Sequence, residues 1–193
     1  MTIDEIIIFS KVLDCITTNR PATEEEKENA NKVLNARIST VNDMYDLACA
    51  FKIAAEVNFV EGKIANRSRL QNVSGFVNLA FACELFLKLL LVGIPYDNKK
   101  HKLDELWKVL DSYYHDIAEA IKTDVESTVS SKMTFEEMLE DDSDVFYNFR
   151  YFFEPEIMKR IQKNPLRPQF LRFFCISLMS VCSQKMQEIK RHP

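Results

Sequence analysis

Residues 76–95 read FVNLAFACELFLKLLLVGIP, and whether they cross a membrane or form the central helix of a bundle decides the fold. The apolar run from Phe76 to Ile94 approaches spanning length, but Asn78, Glu84 and Lys88 interrupt it. Each charge near a bilayer centre costs roughly 2.5 to 3.5 kcal/mol. A core helix over Phe76–Val92 is therefore expected. Gly93, with Ile94 and Pro95 after it, supplies the stop, a glycine just past the last turn and a proline soon after. Glu84 and Lys88 stand at i and i+4, on one face and in the favourable order for an ion pair. In so apolar a helix they are either a pair at the helix flank or a polar patch set into the bundle to meet a partner or substrate, because a buried charge must be paired or hydrogen-bonded.

Helix signals extend outward from this stretch in both directions. Upstream, Thr2–Cys15 is apolar at Ile3, Ile6, Ile7 and Val12. Thr23 followed by Glu26 is a capping box that opens a helix to about Ile38. Asn42 or Asp43 is placed to cap a long helix with Met44, Leu47, Phe51 and Ala54 on one side, running to about Asn66. Downstream, Leu103, Leu106, Trp107, Leu110, Tyr113 and Tyr114 form one apolar stripe, with Lys102, Asp104, Glu105 and Lys108 outside it. A helix from about Asp116 to Ser127 and a polar loop to Lys132 follow. The six acids between Thr134 and Asp144 lack the alternating ligand positions and mid-loop glycine of a calcium loop. Asp142 or Ser143 instead reads as the cap of an aromatic helix, Val145–Phe153. A connector through Pro165 and Pro168 leads to a last helix, Gln169 to about Lys190, with Phe170, Phe173, Phe174, Ser177, Leu178 and Val181 facing inward.

With only three glycines, the chain lacks the turn chemistry of a many-stranded sheet. Its 47% hydrophobic and 28% charged residues fit an ordinary globular core. The expectation is all-α, an up-and-down helical bundle in one domain over 1–193, with N-terminal helices in 1–40 and a core bundle in 41–191. The five cysteines, Cys15, Cys49, Cys83, Cys175 and Cys182, are odd in number and lie in apolar stretches without a CxxC pair. They read as buried thiols of a cytoplasmic protein. Asp4 and Glu5 before Ile6 deny the N-terminus the character of a secretory signal, so neither export nor a membrane partner is expected.

Much familiar chemistry is missing from the sequence. Neither GxGxxG nor a P-loop can be written, and no GxSxG elbow exists. His101, His115 and His192 show no paired metal spacing, so no metal and no cofactor are expected. Charge is uneven: residues 157–193 hold eight Lys or Arg against the single acid Glu188, which leaves +7 there and −11 elsewhere in a chain of net −4. Lys159, Arg160, Lys163, Arg167 and Arg172 form the candidate basic patch, for a polyanion or for an acidic segment of the protein itself. Arg150, in FYNFRYFF, forks onto either a carboxylate such as Glu84 or a phosphate.

The order of these elements resembles the HEPN superfamily. NLAFACELFLKLLL with its Glu84 and Lys88, a glycine–proline stop, HKLDELWKVL beginning at His101, an acidic cap and the Arg150–Tyr151 pair match that family's succession of short motifs over Phe76–Phe153. The resemblance implies a bundle that is commonly a homodimer and that works in RNA cleavage, RNA or nucleotide binding, or toxin–antitoxin and phage-defence systems. Nuclease members carry an Rx4-6H motif; here Pro155, Glu156 and Ile157 stand where the histidine would follow Arg150. An arginine alone cannot move the proton that RNA cleavage requires. The resemblance therefore points to a non-catalytic module that binds RNA, a nucleotide or a protein partner through Glu84, Lys88, His101, Arg150 and Tyr151. The alternatives are a metal-independent ribonuclease with His101 or His115 as a displaced base, and a purely protein-interaction domain.

Overall fold

The computed structural model describes residues 23–59, 68–97, 99–145, 159 and 168–191. Every regular element among them is helical, and the protein is an all-α helical bundle. The helices are α1 (Glu24–Phe59), α2 (Ser68–Leu90), α3 (Leu103–Tyr113), α4 (His115–Thr128), α5 (Phe135–Asp142) and α6 (Pro168–Arg191). The expected helices over Thr2–Cys15 and, Val145 apart, Val145–Phe153 lie outside the described residues. The chain divides into two compact units, Met1–Asp43 and Met44–Pro193.

In the first unit α1 starts at the expected capping box. The Glu26 amide donates to Thr23 Oγ1 at 3.2 Å, and the Thr23 amide donates to Glu26 Oε2 at 2.8 Å. The helix does not stop near Ile38 and restart at Asn42 or Asp43: α1 is continuous for 36 residues. Residues 38–44, ISTVNDM, contain neither proline nor glycine, so Asn42 and Asp43 lie within the helix and cap nothing.

The core lies in the second unit. From Met44 onward α1 packs antiparallel on α2 through edge-on ring pairs, Tyr45 with Phe86, Phe51 with Phe81 and Phe59 with Phe76. Helix α2 begins earlier than the expected Phe76, at Ser68, and Gly75 is one of its interior residues. A Cβ there would stand 2.9 Å from the Phe59 ring, so the glycine permits the close approach of α1. The stop at Gly93 is as expected, with φ +90°. Val73–Leu90 is long and apolar enough to cross a membrane, yet 67% of it is buried inside the protein, as the middle of a bundle requires.

Helix α6 runs in the same sense as α2. Cys83 Sγ meets the Leu171 carbonyl, and Lys185 Nζ reaches the Leu90 carbonyl at 3.3 Å, at the α2 C-terminus. Of the stripe expected on α3, Leu103, Leu106, Trp107 and Leu110 are buried. Tyr113 is 52% exposed, because the backbone breaks at Tyr114 (φ −138°, ψ 56°) and α4 restarts at His115. Trp107, Phe135, Phe170 and Phe174 bring α3, α5 and α6 together, with ring centroids 4.8 to 5.8 Å apart. The acidic stretch opens with a second capping box, in which the Glu137 amide donates to Thr134 Oγ1 at 3.2 Å.

Candidate functional site

The polar site begins with Glu84, which is 1% exposed on α2 amid Cys83, Leu85 and Phe86. One turn on, Lys88 Nζ lies 2.8 Å from Glu84 Oε1. His101 Nδ1 approaches the same oxygen at 2.8 Å. Glu84 Oε2 is buried with no hydrogen-bond partner. The pair is therefore set into the bundle, not laid on a solvated flank. Tyr96 stands nearby, and burial first, then the Glu84 charge, raises its phenol above the ordinary range.

The turn after α2 brings His101 to this spot. Gly93 reverses the chain, the Ile94 amide donates to the Leu91 carbonyl at 3.0 Å, and the Lys99 amide donates to Asp97 Oδ1 at 3.0 Å. The start of α3 is held by a residue 39 positions away: Ser143 Oγ accepts from the Asp104 amide at 2.8 Å and donates to Asp104 Oδ1. Ser143 thus serves α3. Burial acts to raise the Asp104 carboxyl, but hydrogen bonds from Ser143 and Lys108 outweigh it and hold that group below the usual carboxylate range.

His101 is the point where the buried pair meets a surface cleft of about 290 Å³. Lys99, Lys100 and Lys102 line the cleft, with Asp97, Glu105, Ser143 and Asp144. Lys100 pairs with Glu105 at 3.2 Å, both side chains partly exposed, and Lys102 with the half-buried Asp144 at 3.4 Å. Lys99 has no ion-pair partner among the described residues. Chemically, a carboxylate only accepts, so the proton of the His101–Glu84 contact sits on Nδ1, and the far edge of the ring is available to the cleft.

The structure thus gathers three of the expected site residues, Glu84, Lys88 and His101. Arg150 and Tyr151 lie outside the described residues, as do Arg160, Lys163 and Arg167. Lys159 is exposed. Arg172 is engaged within the protein: its Nε donates to Glu56 Oε2 at 3.1 Å, and its guanidinium lies 5.1 Å from the centre of the Phe59 ring. Of the two histidines considered as a displaced base, His115 is at the far end of the 11-residue α3, roughly 16 Å along its axis. There it pairs with Asp111 at 2.7 Å, and that hydrogen bond raises its imidazole above the ordinary range.

The cleft lysines are the residues that pattern reading passed over. They stand in one run, KKHK at 99–102, whose signal is the interruption of two charged stretches by the very histidine already singled out. Cys83, Cys175 and Cys182 are buried free thiols and Cys49 is partly buried; burial raises Cys83 and Cys182 out of the reactive range. Among the described residues no three His, Cys, Asp or Glu side chains converge as a metal would need. No family model, no curated protein and no solved structure matches the chain.

Proposed function

We propose that this bundle is a non-catalytic HEPN-like module that binds RNA or a nucleotide in the cleft at the start of α3. The observation that carries the reading is the junction of a buried Glu84–Lys88–His101 cluster with a cleft lined by Lys99, Lys100 and Lys102. A buried carboxylate with two cationic or donor partners costs desolvation, and a hydrophobic trio would stabilise a bundle as well or better. Its use is more readily explained by the imidazole it holds at the cleft. The lysines supply donors for phosphate oxygens, and their surface ion pairs, worth about 0–1 kcal/mol, yield readily to a ligand. The resemblance adds a homodimer working in a toxin–antitoxin or phage-defence setting, and the unpaired cysteines in apolar stretches add a cytoplasmic location.

The test is incubation with labelled single-stranded RNA in chelator, following mobility and fragment length together across a salt series. The expected result is a shift without cleavage that weakens as salt rises, because phosphate contacts release counterions. Lys99→Ala with Lys102→Ala should weaken binding and flatten the salt slope by about 0.7 per lost contact. A shift insensitive to salt and to these lysines contradicts the proposal, and no shift at all puts a protein partner first.

A second reading, a metal-independent ribonuclease with a displaced base, is favoured by one contact. Glu84 holds His101 through Nδ1, which leaves Nε2 as the proton acceptor that general-base catalysis requires. RNA fragments in chelator, lost on His101→Ala and on Arg150→Ala, would establish it.

A further inference from the structure

The Glu84–His101 contact constrains the kind of group a ligand must present. Nδ1 of His101 is committed to Glu84 Oε1 at 2.8 Å, and the side chain is 51% exposed and lines the cleft. With the proton on Nδ1, a neutral imidazole offers a lone pair at Nε2. In this neutral form a phosphate oxygen, itself an acceptor, cannot bond to that nitrogen. What meets His101 is therefore a donor, a hydroxyl or an N–H, while the ammonium groups of Lys99, Lys100 and Lys102 take the anionic part of the same molecule. At about 290 Å³ the cleft sits at the small end of ligand pockets, roughly 300–1,000 Å³, with room for one nucleotide unit.

We propose that His101 distinguishes ribose from deoxyribose phosphates, accepting on Nε2 a hydrogen bond from the sugar 2′-hydroxyl, with Glu84 as its positioning residue. This rests on the reading of the cleft as a phosphate-ligand site. A ribonucleotide combines the required features at the right scale, an acceptor-only anion beside a hydroxyl donor, and the 2′-hydroxyl is what separates RNA from DNA at any one position. Lys88 shares the oxygen that His101 uses, so that oxygen is held by two groups and Nδ1 keeps the proton of the contact.

The experiment compares matched ligand pairs by fluorescence or calorimetric titration of the full chain above the ordinary histidine range, roughly pH 6.5. The pairs are adenosine 5′-monophosphate with its 2′-deoxy form, and a ribo-oligonucleotide with the deoxy-oligonucleotide of the same bases. Preference in the first pair identifies a free nucleotide as the source of the ribose, and preference in the second alone identifies a strand. Wild type should favour the ribo form by roughly 2- to 13-fold, the range of one net hydrogen bond. His101→Ala should bring the ribo-ligand down to the level of the deoxy-ligand. Glu84→Gln should reduce the ratio while the lysines still confer salt-sensitive binding, and should it fail to fold, the half-exposed His101 variant decides. Equal, salt-sensitive binding of both forms by wild type, or a ratio unchanged by His101→Ala, overturns the inference and leaves the phosphate reading standing. Binding of neither form sinks both.

Discussion

Two clusters in the same compact unit use α3 in opposite ways. On one side Trp107 joins Phe135, Phe170 and Phe174 in a ring cluster with no ionised group, and three of the four are 0% exposed. At the N-terminal end the approach to α3 carries His101 to a carboxylate buried in α2, with one oxygen doubly engaged and the other without a partner. The first arrangement fits what stability alone would select. The second is costly to bury and stabilises only so long as every member is present. Where a fold keeps such a cluster beside a cleft, the difference between the two regions indicates which one serves a ligand.

The comparison breaks most sharply by truncation on the apolar side. Phe135→Ala removes a fully buried ring that touches three others, and should cost about 3–5 kcal/mol in a urea melt. It should leave ligand affinity of the folded fraction unchanged. A loss under about 1 kcal/mol would mean that the ring cluster does not hold α5 to α3 and α6.

Glu84→Ala should cost nearly as much, about 3 kcal/mol, because it removes the buried carboxylate that meets both Lys88, whose side chain is 14% exposed, and His101. The double change Glu84→Met with Lys88→Met separates the two regions more cleanly. An apolar pair of similar volume in place of a buried ion pair is often neutral or stabilising. Thermal denaturation should therefore return to near the wild-type midpoint, while the preference for the ribo-ligand, with His101 unanchored, does not recover. If that preference recovers as well, the cluster is structural.

A smaller effect is expected at the α1–α2 contact. Alanine at Gly75 gains roughly 1 kcal/mol of helix propensity. Its Cβ, however, meets the Phe59 ring at 2.9 Å, and that ring is held between the edge of Phe76 and the Arg172 guanidinium. Overpacking costs about 1–3 kcal/mol, so the net should be a loss of about 1 kcal/mol by denaturant midpoint. A gain would show that Phe59 moves freely and that this face of α2 tolerates more volume.

The all-helical class, the central helix and its stop at Gly93 were legible because they rest on local signals: periodicity, scarcity of turn residues, and a glycine at positive φ. The cluster was half legible. Glu84 and Lys88 announced themselves as charges in an apolar run, and His101 through the resemblance; their convergence depended on how the turn at 91–102 folds back, which no pattern encodes. The boundary near Asn42 was misread because cap-forming residues are also tolerated inside a helix when nothing after them breaks it. Thr134 with Glu137 repeats the signature that opens α1, but the acids crowding it resemble a cation loop or a cap for the next helix. Ser143 steadies α3 across 39 positions, and such long-range capping leaves no trace in local sequence. Arg172 read as part of a basic patch because its partner, Glu56, lies 116 residues away.

The smallest effect sharpens the comparison from the exposed end of α3. His115 and Asp111 form a pair as short as the one at Glu84, 2.7 Å, but in solvent. The hydrogen bond from Asp111, then its charge, raises the His115 imidazole above its ordinary value. Because the folded-state value lies above the unfolded one, protonation favours the fold. That contribution is complete below about pH 6.5 and is lost as pH rises through the folded value. Asp111→Asn should return the His115 titration to the ordinary range by NMR, and moderate salt should do part of the same by screening. The Glu84–Lys88 pair, shielded by the bundle, should respond to salt far less, so a chemical shift at Lys88 that follows salt as closely as His115 does would place Glu84 in contact with solvent and remove the contrast between the two ends of the helix.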